Sequence, residues 1–385
     1  MDRFSNKLRD LTSIGIADIS SKGISAFFWF YVASIIGPET YGEITYFLSI
    51  ATIASTISLL GSANTLIVYT AKNVKIQPAL YVLTLVSGSV ASVVVFLIFY
   101  NIGTSFLILG YVIFGLVTSE LLGHKLYNSY SKLVITQKIL MVSLAIGLNY
   151  LVGSEGIIPG MAISFAPYIT SIIRGFKKSK IQFTLIKERF NFLINSYIQT
   201  LSGALSGSVD KLVIAPLFGF AILGNYSLGL QFLALLQLIP QVVGKYAIPQ
   251  YSSGNENRKL KKIIILFSVG LAATGFMIGP SVMSWIFPRF TEVEEVIRIV
   301  SLSIIPVTIV IIYESKFFGT EKSRNILINS IIWTGTQILG IIVLGVSYGI
   351  NGITASLLLG ASASAVYVII TDELDKRKNQ NNLNK

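Results

Sequence analysis

The sequence predicts an all-α integral membrane protein of about twelve transmembrane helices, arranged as two six-helix lobes related by a pseudo-two-fold axis along the membrane normal. Three observations lead there: a composition too apolar for water, apolar runs of spanning length, and connections whose charge alternates along the chain. Of 385 residues, 53% are hydrophobic and 12% charged, where a soluble globular protein carries about 25% charge. The mean hydropathy of +0.71 leaves most segments too little polar surface to face water. These values exclude a soluble enzyme, a disordered chain and a conventional nucleic-acid binder. A membrane helix needs roughly 20 apolar residues, so twelve use about 240 and leave no room for a sizeable domain on either side. The chain has no cysteine and a single histidine, His124. Disulfides, thiolate metal sites and histidine triads are therefore not expected, and neither is a cofactor or a metal.

Apolar runs between turn signals place the first six spans at 12–36, 42–66, 78–100, 103–124, 132–152 and 156–173. The second six fall at 190–217, 221–247, 262–287, 295–316, 324–346 and 350–371. The charged start, Met1 to Asp10, precedes an apolar run with no small-residue cleavage site, so that run reads as a retained first span. The implied organisation is an N-terminal lobe over 1–173, a basic linker over 174–189, a C-terminal lobe over 190–371 and a tail over 372–385.

Charge then orients the spans. The formal charge is +12, and nearly all of the basic residues fall in the N-terminal tail, in alternate connections and in the C-terminal tail. The exceptions are Lys22, Lys211, Lys245, Arg289 and Arg298. The other set of connections carries only Arg289, beside acids such as Glu39, Glu43, Glu155 and Glu292. By the positive-inside rule both termini are cytoplasmic, and the protein lies in the cytoplasmic membrane. The basicity is topological and requires no nucleic acid.

The chain also resembles itself. Gly37-Pro-Glu-Thr-Tyr-Gly42 is echoed by Gly219-Phe-Ala-Ile-Leu-Gly224 at an offset of about 182 residues. The following helices keep Leu48/Leu230, Ile57/Ile239 and Tyr69/Tyr251 in step, and Glu155-Gly-Ile157 pairs with Asn351-Gly-Ile353. An even number of spans per half gives both halves one orientation, the parallel-repeat arrangement of many transporters.

These residues resemble a known family. Ile36-Gly-Pro-Glu-Thr-Tyr-Gly-Glu-Ile-Thr-Tyr-Phe47 is similar to the turn after the first helix of polysaccharide flippases. Those are the Wzx-type branch of the multidrug/oligosaccharidyl-lipid/polysaccharide (MOP) superfamily. Asp210-Lys-Leu-Val-Ile-Ala215, with Gly219 and Gly224-Asn-Tyr-Ser-Leu228, resembles that family's passage from seventh to eighth helix. Tyr348-Gly-Ile-Asn-Gly352 resembles its entry to the twelfth. The likeness runs over residues 10–370 and lacks the additional C-terminal helices of some members. It implies a MOP/MATE-like, two-lobed helical bundle that moves lipid-linked sugars by alternating access.

Polar stripes mark where cargo would bind. Asp18, Lys22, Ser25 and Trp29 share one face of the first span, and Thr45, Ser49, Thr52 and Thr56 one face of the second. The seventh carries Asn195, Gln199, Ser202, Ser206 and Asp210; the eighth carries Gln237, Gln241 and Lys245, with Pro240 expected to kink it. The fourth is apolar until Glu120. A hydrated cavity lined by these four helices is the expectation. Its candidate contacts are Asp18, Lys22, Trp29, Gln199, Asp210, Lys211, Gln241 and Lys245.

Plainer readings stand beside it. The hydroxyls of the second span can bond their own helix or a neighbouring one. Asp18 and Lys22 can pair structurally, although charges in mid-membrane favour a function such as gripping a lipid phosphate. Lys211 is placed to snorkel outward, Lys245 to anchor at the interface, and Trp29 likewise. Arg298 follows Glu294 and Glu295 by one turn and reads as an interfacial salt bridge, while Glu120, Glu314 and His124 read as residues near cytoplasmic helix ends within reach of water. The stretch 174–190 mixes basic residues with Phe176, Phe183, Ile186 and Phe190 as an interfacial helix does, or serves as a tether on anionic lipid.

The function expected is therefore a flippase for a polyprenyl-phosphate- or polyprenyl-pyrophosphate-linked oligosaccharide, not an enzyme. Asp18 or Asp210 is available for coupling to a proton or sodium gradient. The alternatives are a multidrug exporter, for which Lys22, Lys211 and Lys245 have the wrong sign, and a membrane-embedded glycan polymerase or glycosyltransferase, for which the outer connections are too short. A purely structural scaffold leaves the polar stripes unexplained.

Overall fold

A computed structural model describes residues 2–177, 180–253 and 257–383. The described residues are almost entirely helical and contain no strand. In chain order the helices are α1 (Asp2–Ile35), α2 (Pro38–Leu59), α3 (Ser62–Ala71), α4 (Gln77–Phe99) and α5 (Ile102–Gly123). There follow α6 (Tyr127–Val152), α7 (Ile157–Ile163), α8 (Ile169–Lys177), α9 (Thr184–Lys187) and α10 (Phe190–Phe218). The last five are α11 (Phe220–Leu236), α12 (Leu238–Ser252), α13 (Arg258–Ile286), α14 (Val293–Gly319) and α15 (Ser323–Leu383).

Among the described residues, nine helical segments are long and apolar enough to cross a membrane, or ten if bent α11–α12 is one span. That makes the chain a multi-pass membrane protein. Helix α1 is not among them, because Asp18 and Lys22 dilute its apolar run. The segment counted as Ser323–Arg377 contains Gly349 with φ 57° and ψ −135°. Its two arms fold onto each other: a Cβ on Gly340 would meet Ser356, and Ser364 hydrogen-bonds Asn329. Two expected spans, 324–346 and 350–371, thus lie in one nominal helix.

Local chemistry sets the other ends. Pro38 opens α2, where its missing N–H costs nothing. Asn101 accepts from the Thr104 amide at 2.9 Å to start α5, and Asn257 accepts from that of Leu260 at 2.9 Å to start α13. The bend of 51° between α11 and α12 falls where Pro240 cannot donate to the Leu236 carbonyl.

Besides the eighth, 221–247, bent between α11 and α12, two further expected spans are interrupted. The second, 42–66, breaks at Leu60 and Gly61, whose φ values are +48° and +74°. A Cβ on Gly61 would lie 2.3 Å from the Leu193 carbonyl oxygen, so α10 approaches too closely for any side chain there. The sixth, 156–173, lies in one spanning segment, Ser154–Lys177, with a 3-10 turn around Pro167 between α7 and α8. The basic linker is not one helix either. Arg174 and Lys177 end α8, Lys178 lies outside the described residues, and α9 is a single turn. Its two ends pack on protein: Phe176 meets Tyr81 edge-on, and the Arg189 guanidinium lies 5.0 Å from the Tyr69 ring centroid.

Packing divides the chain into two compact units. One comprises Met1–Trp29 and Phe47–Ser208, the other Phe30–Tyr46 and Val209–Lys385. The division cuts through α1, α2 and α10, which the sequence halves 1–173 and 190–371 leave whole. In the first unit Leu66, Tyr81, Leu107, Ile108 and Leu116 are fully buried. In the second, α14 is central: Val296, Val300 and Ile304 pack with Leu233, Ala272 and Leu357. In a bilayer such cores are held by close packing, which rewards small residues at helix contacts.

The repeat appears in the second unit as direct contact between equivalent positions. A Cβ on Gly42 would lie 1.9 Å from the Phe220 carbonyl oxygen, and one on Gly224 would lie 1.8 Å from that of Pro38. Thr45 and Ser227, 182 residues apart, share a hydrogen bond of 3.1 Å. Gly42 and Gly224, the last glycines of the echoed turns, are there because two backbones touch.

Candidate functional site

The polar residues expected to meet cargo are distributed over both units. In the first, α1 carries Lys22, exposed, and Trp29, half-buried with its ring 4.9 Å from that of Phe28. The side chain of Asp18, on the same helix, lies outside what the structure describes. Gln199 is exposed on α10, one turn from exposed Asn195. The hydroxyls of α2 turn back on their own helix: Thr52 donates to the Leu48 carbonyl at 2.8 Å and Thr56 to that of Thr52 at 2.8 Å. The plainer reading of that stripe therefore holds for these two residues.

In the second unit Gln241 donates to Gln237 at 3.1 Å across the start of α12, and Lys245 is exposed one turn further on. Asp210 and Lys211 are brought together directly. The Lys211 ammonium lies 3.0 Å from Asp210 Oδ1, with both side chains largely buried. Lys211 does not snorkel outward; its flexible stem curls back because a bare carboxylate would otherwise remain in the apolar interior. Around this pair runs a chain that sequence spacing did not reveal. Tyr226 donates to Asp210 Oδ2 at 3.0 Å, Gln337 donates to the Tyr226 hydroxyl at 3.0 Å, and Trp333 Nε1 donates to Gln337 Oε1 at 3.0 Å. The signals were present but weak: Tyr226 lies inside the Gly224–Leu228 motif, and Trp333 and Gln337 stand four apart on one face.

Two acids expected to sit within reach of water are held by protein. Glu120 is buried in the first unit, accepts a hydrogen bond from the buried Tyr81 hydroxyl and lies 3.6 Å from His124 Nε2. Glu314, partly buried in the second, accepts from Asn329 Nδ2 at 2.8 Å. Arg298 behaves as expected, at 4.0 Å from Glu294 on the exposed start of α14. Arg289, the lone base of its connection, donates to the Ile35 carbonyl at 3.0 Å and so closes the end of α1. Beside it, Glu292 precedes α14; its carboxyl is pushed above the ordinary range, first by burial and then by the nearby Glu295 charge.

The first unit also has an apolar groove of about 560 Å³ between α5 and the broken α7–α8 segment. Gly103, Gly110, Pro159 and Phe165 shape it, and no polar headgroup would find a partner there. No group of three or more His, Cys, Asp or Glu side chains able to hold a metal occurs among the described residues.

No family model and no curated protein matches the chain. Solved structures do. The lipid II flippase MurJ in an inward closed conformation superimposes with a TM-score of 0.75, covering 94% of this chain and 87% of that one at 14% identity. An inward-facing multidrug resistance MATE family transporter of the MOP superfamily gives 0.67, covering 93% and 94% at 15% identity. A MOP superfamily transporter from Pyrococcus furiosus, described by a binding pocket of reverse polarity that suggests a different function, gives 0.60, covering 94% and 95% at 13% identity. The fold is the one shared by MOP superfamily transporters, as the sequence motifs implied.

Proposed function

We propose that this protein is a Wzx-type flippase, carrying a polyprenyl-phosphate- or polyprenyl-pyrophosphate-linked oligosaccharide across the cytoplasmic membrane by alternating access. Both termini face the cytoplasm, and the product serves polysaccharide or glycoconjugate synthesis. The observation that supports this reading is the exposure of basic side chains on the candidate helices. Asp210 is neutralised by Lys211 at 3.0 Å, while Lys22 and Lys245 are exposed. Exposed ammonium groups suit a phosphate or pyrophosphate better than a cationic drug. In this scheme Lys22 grips the phosphate, with Asp18 beside it on the same helix face. Lys245 receives the incoming headgroup, Gln199 and Gln241 bond sugar hydroxyls, and Trp29 stacks on a sugar ring. The Asp210–Lys211 pair fixes the outer part of α10. The lipid tail remains in the bilayer, and the protein performs no covalent chemistry.

The test is purified protein in liposomes, offered lipid-linked oligosaccharide and cationic dyes in separate assays. Glycan translocation without dye transport is expected. Dye transport without glycan translocation would overturn the proposal in favour of a multidrug exporter, the activity named for the MATE neighbour.

A further inference from the structure

The interior of the second unit holds an acid that the transport scheme above does not use. Glu314, on α14, accepts from Asn329 Nδ2 at 2.8 Å, and the Ser364 hydroxyl lies 2.5 Å from Asn329 Oδ1. Asn329 and Ser364 are fully buried and belong to the two arms of α15, so this chain ties three helical segments together through one carboxyl group. The partner of Glu314 is a neutral amide; among the described residues no basic side chain pairs with it. A carboxylate there would carry uncompensated charge inside a membrane protein, whereas the neutral acid completes the chain at no such cost.

The surroundings are layered. One turn nearer the basic end, at spacings of three and four residues, Phe317, Ile326 and Val368 close an apolar layer joined by Tyr313 and Tyr367. Beyond it stands an ionic layer. Asp372 lies 2.7 Å from both Lys316 and Lys376, and Lys322 lies 2.6 Å from Asp375. The other helices packed on α14 bring cations that are occupied or exposed. From α13, Lys261 sits 3.5 Å from the Tyr313 ring centroid; from α12, Tyr251 faces Lys316 at 6.0 Å and Lys245 is exposed. Helix α11 has Tyr226 as its one titratable group, and that hydroxyl is bonded to Asp210.

We propose that Glu314 is a proton-binding site. It binds a proton from water on Oε2 and returns it to water, holding α14 to both arms of α15 when loaded and loosening them when empty. Pro306, two turns back, removes one helical hydrogen bond from α14 and gives that end freedom to move. A bound metal cation fits less well, since the Asn329 amide presents N–H toward the carboxyl and its oxygen toward Ser364.

The experiment uses full-length protein in lipid nanodiscs without any cargo, so it stands or falls apart from the flippase reading. Infrared difference spectra across a pH titration should show a protonated-carboxyl C=O band that E314Q removes and E314D shifts. Because the chain lacks cysteine, Ser330→Cys can be added alone. Its labelling by a water-soluble maleimide should accelerate with rising pH in the parent and lose that dependence in E314Q. An unchanged band in E314Q, or labelling that stays pH-dependent in it, overturns the assignment. Should E314Q fail to insert, an unshifted band in E314D overturns it equally.

Discussion

Lys211 and Asp210 are neighbours in sequence that pair within one helix, Nζ to Oδ1 at 3.0 Å, with both side chains largely buried. Adjacent helical residues point about 100° apart, so the contact exists because the lysine stem is long enough to fold back. The pair leaves its Tyr226–Gln337–Trp333 chain with an anionic acceptor at one end and no net charge in the apolar interior.

Lys211→Met should therefore destabilise the protein by about 3–5 kcal/mol, because it strands a buried carboxylate. The double variant Asp210→Asn/Lys211→Met should recover most of that loss. Thermal unfolding of the purified proteins in detergent measures both. A single variant as stable as the parent would contradict the assigned pairing.

Lys22→Ala should abolish glycan translocation while leaving protein level and membrane insertion intact, because an exposed lysine on α1 has little packing to lose. Translocation assays beside quantitative blotting check it. Unimpaired translocation would remove the phosphate grip from Lys22.

Glycines on the same fold should respond in opposite ways to one methyl group. Gly42→Ala places a Cβ 1.9 Å from the Phe220 carbonyl oxygen. Backbone must move, at a cost of about 3 kcal/mol or more. Gly203→Ala in α10 meets nothing within 4 Å and should stabilise that helix by roughly 0.5–1 kcal/mol. Melting temperatures on the two sides of the parent value are the expected result; equal shifts would refute the contact.

Tyr81→Phe should cost about 1–3 kcal/mol, since it removes a hydroxyl that donates to buried Glu120. Tyr81→Phe combined with Glu120→Leu should be milder than Tyr81→Phe alone. Denaturation midpoints of the two variants decide the point.

The spans were legible because hydropathy is local: twenty apolar residues announce themselves wherever they pack. The breaks were not, because they are set from elsewhere. Gly61 is required by the backbone at Leu193, and nothing near residue 61 encodes that approach. The repeat was legible from its glycines, since close backbone contact leaves only one residue type. The polar stripes of Lys22, Gln199 and Gln241 were readable one helix at a time. The hydrogen bonds between helices were not, because Tyr226, Gln337, Asn329 and Ser364 are ordinary polar residues until distant helices bring them together.

The meeting of Gly42 with the Phe220 carbonyl, and of Gly224 with that of Pro38, has the form of an isologous interface written into a single chain. Each side offers one glycine and one carbonyl four residues earlier, and receives the same. A side chain added on one side alone would push against a backbone that the other side cannot move without losing its own half of the exchange.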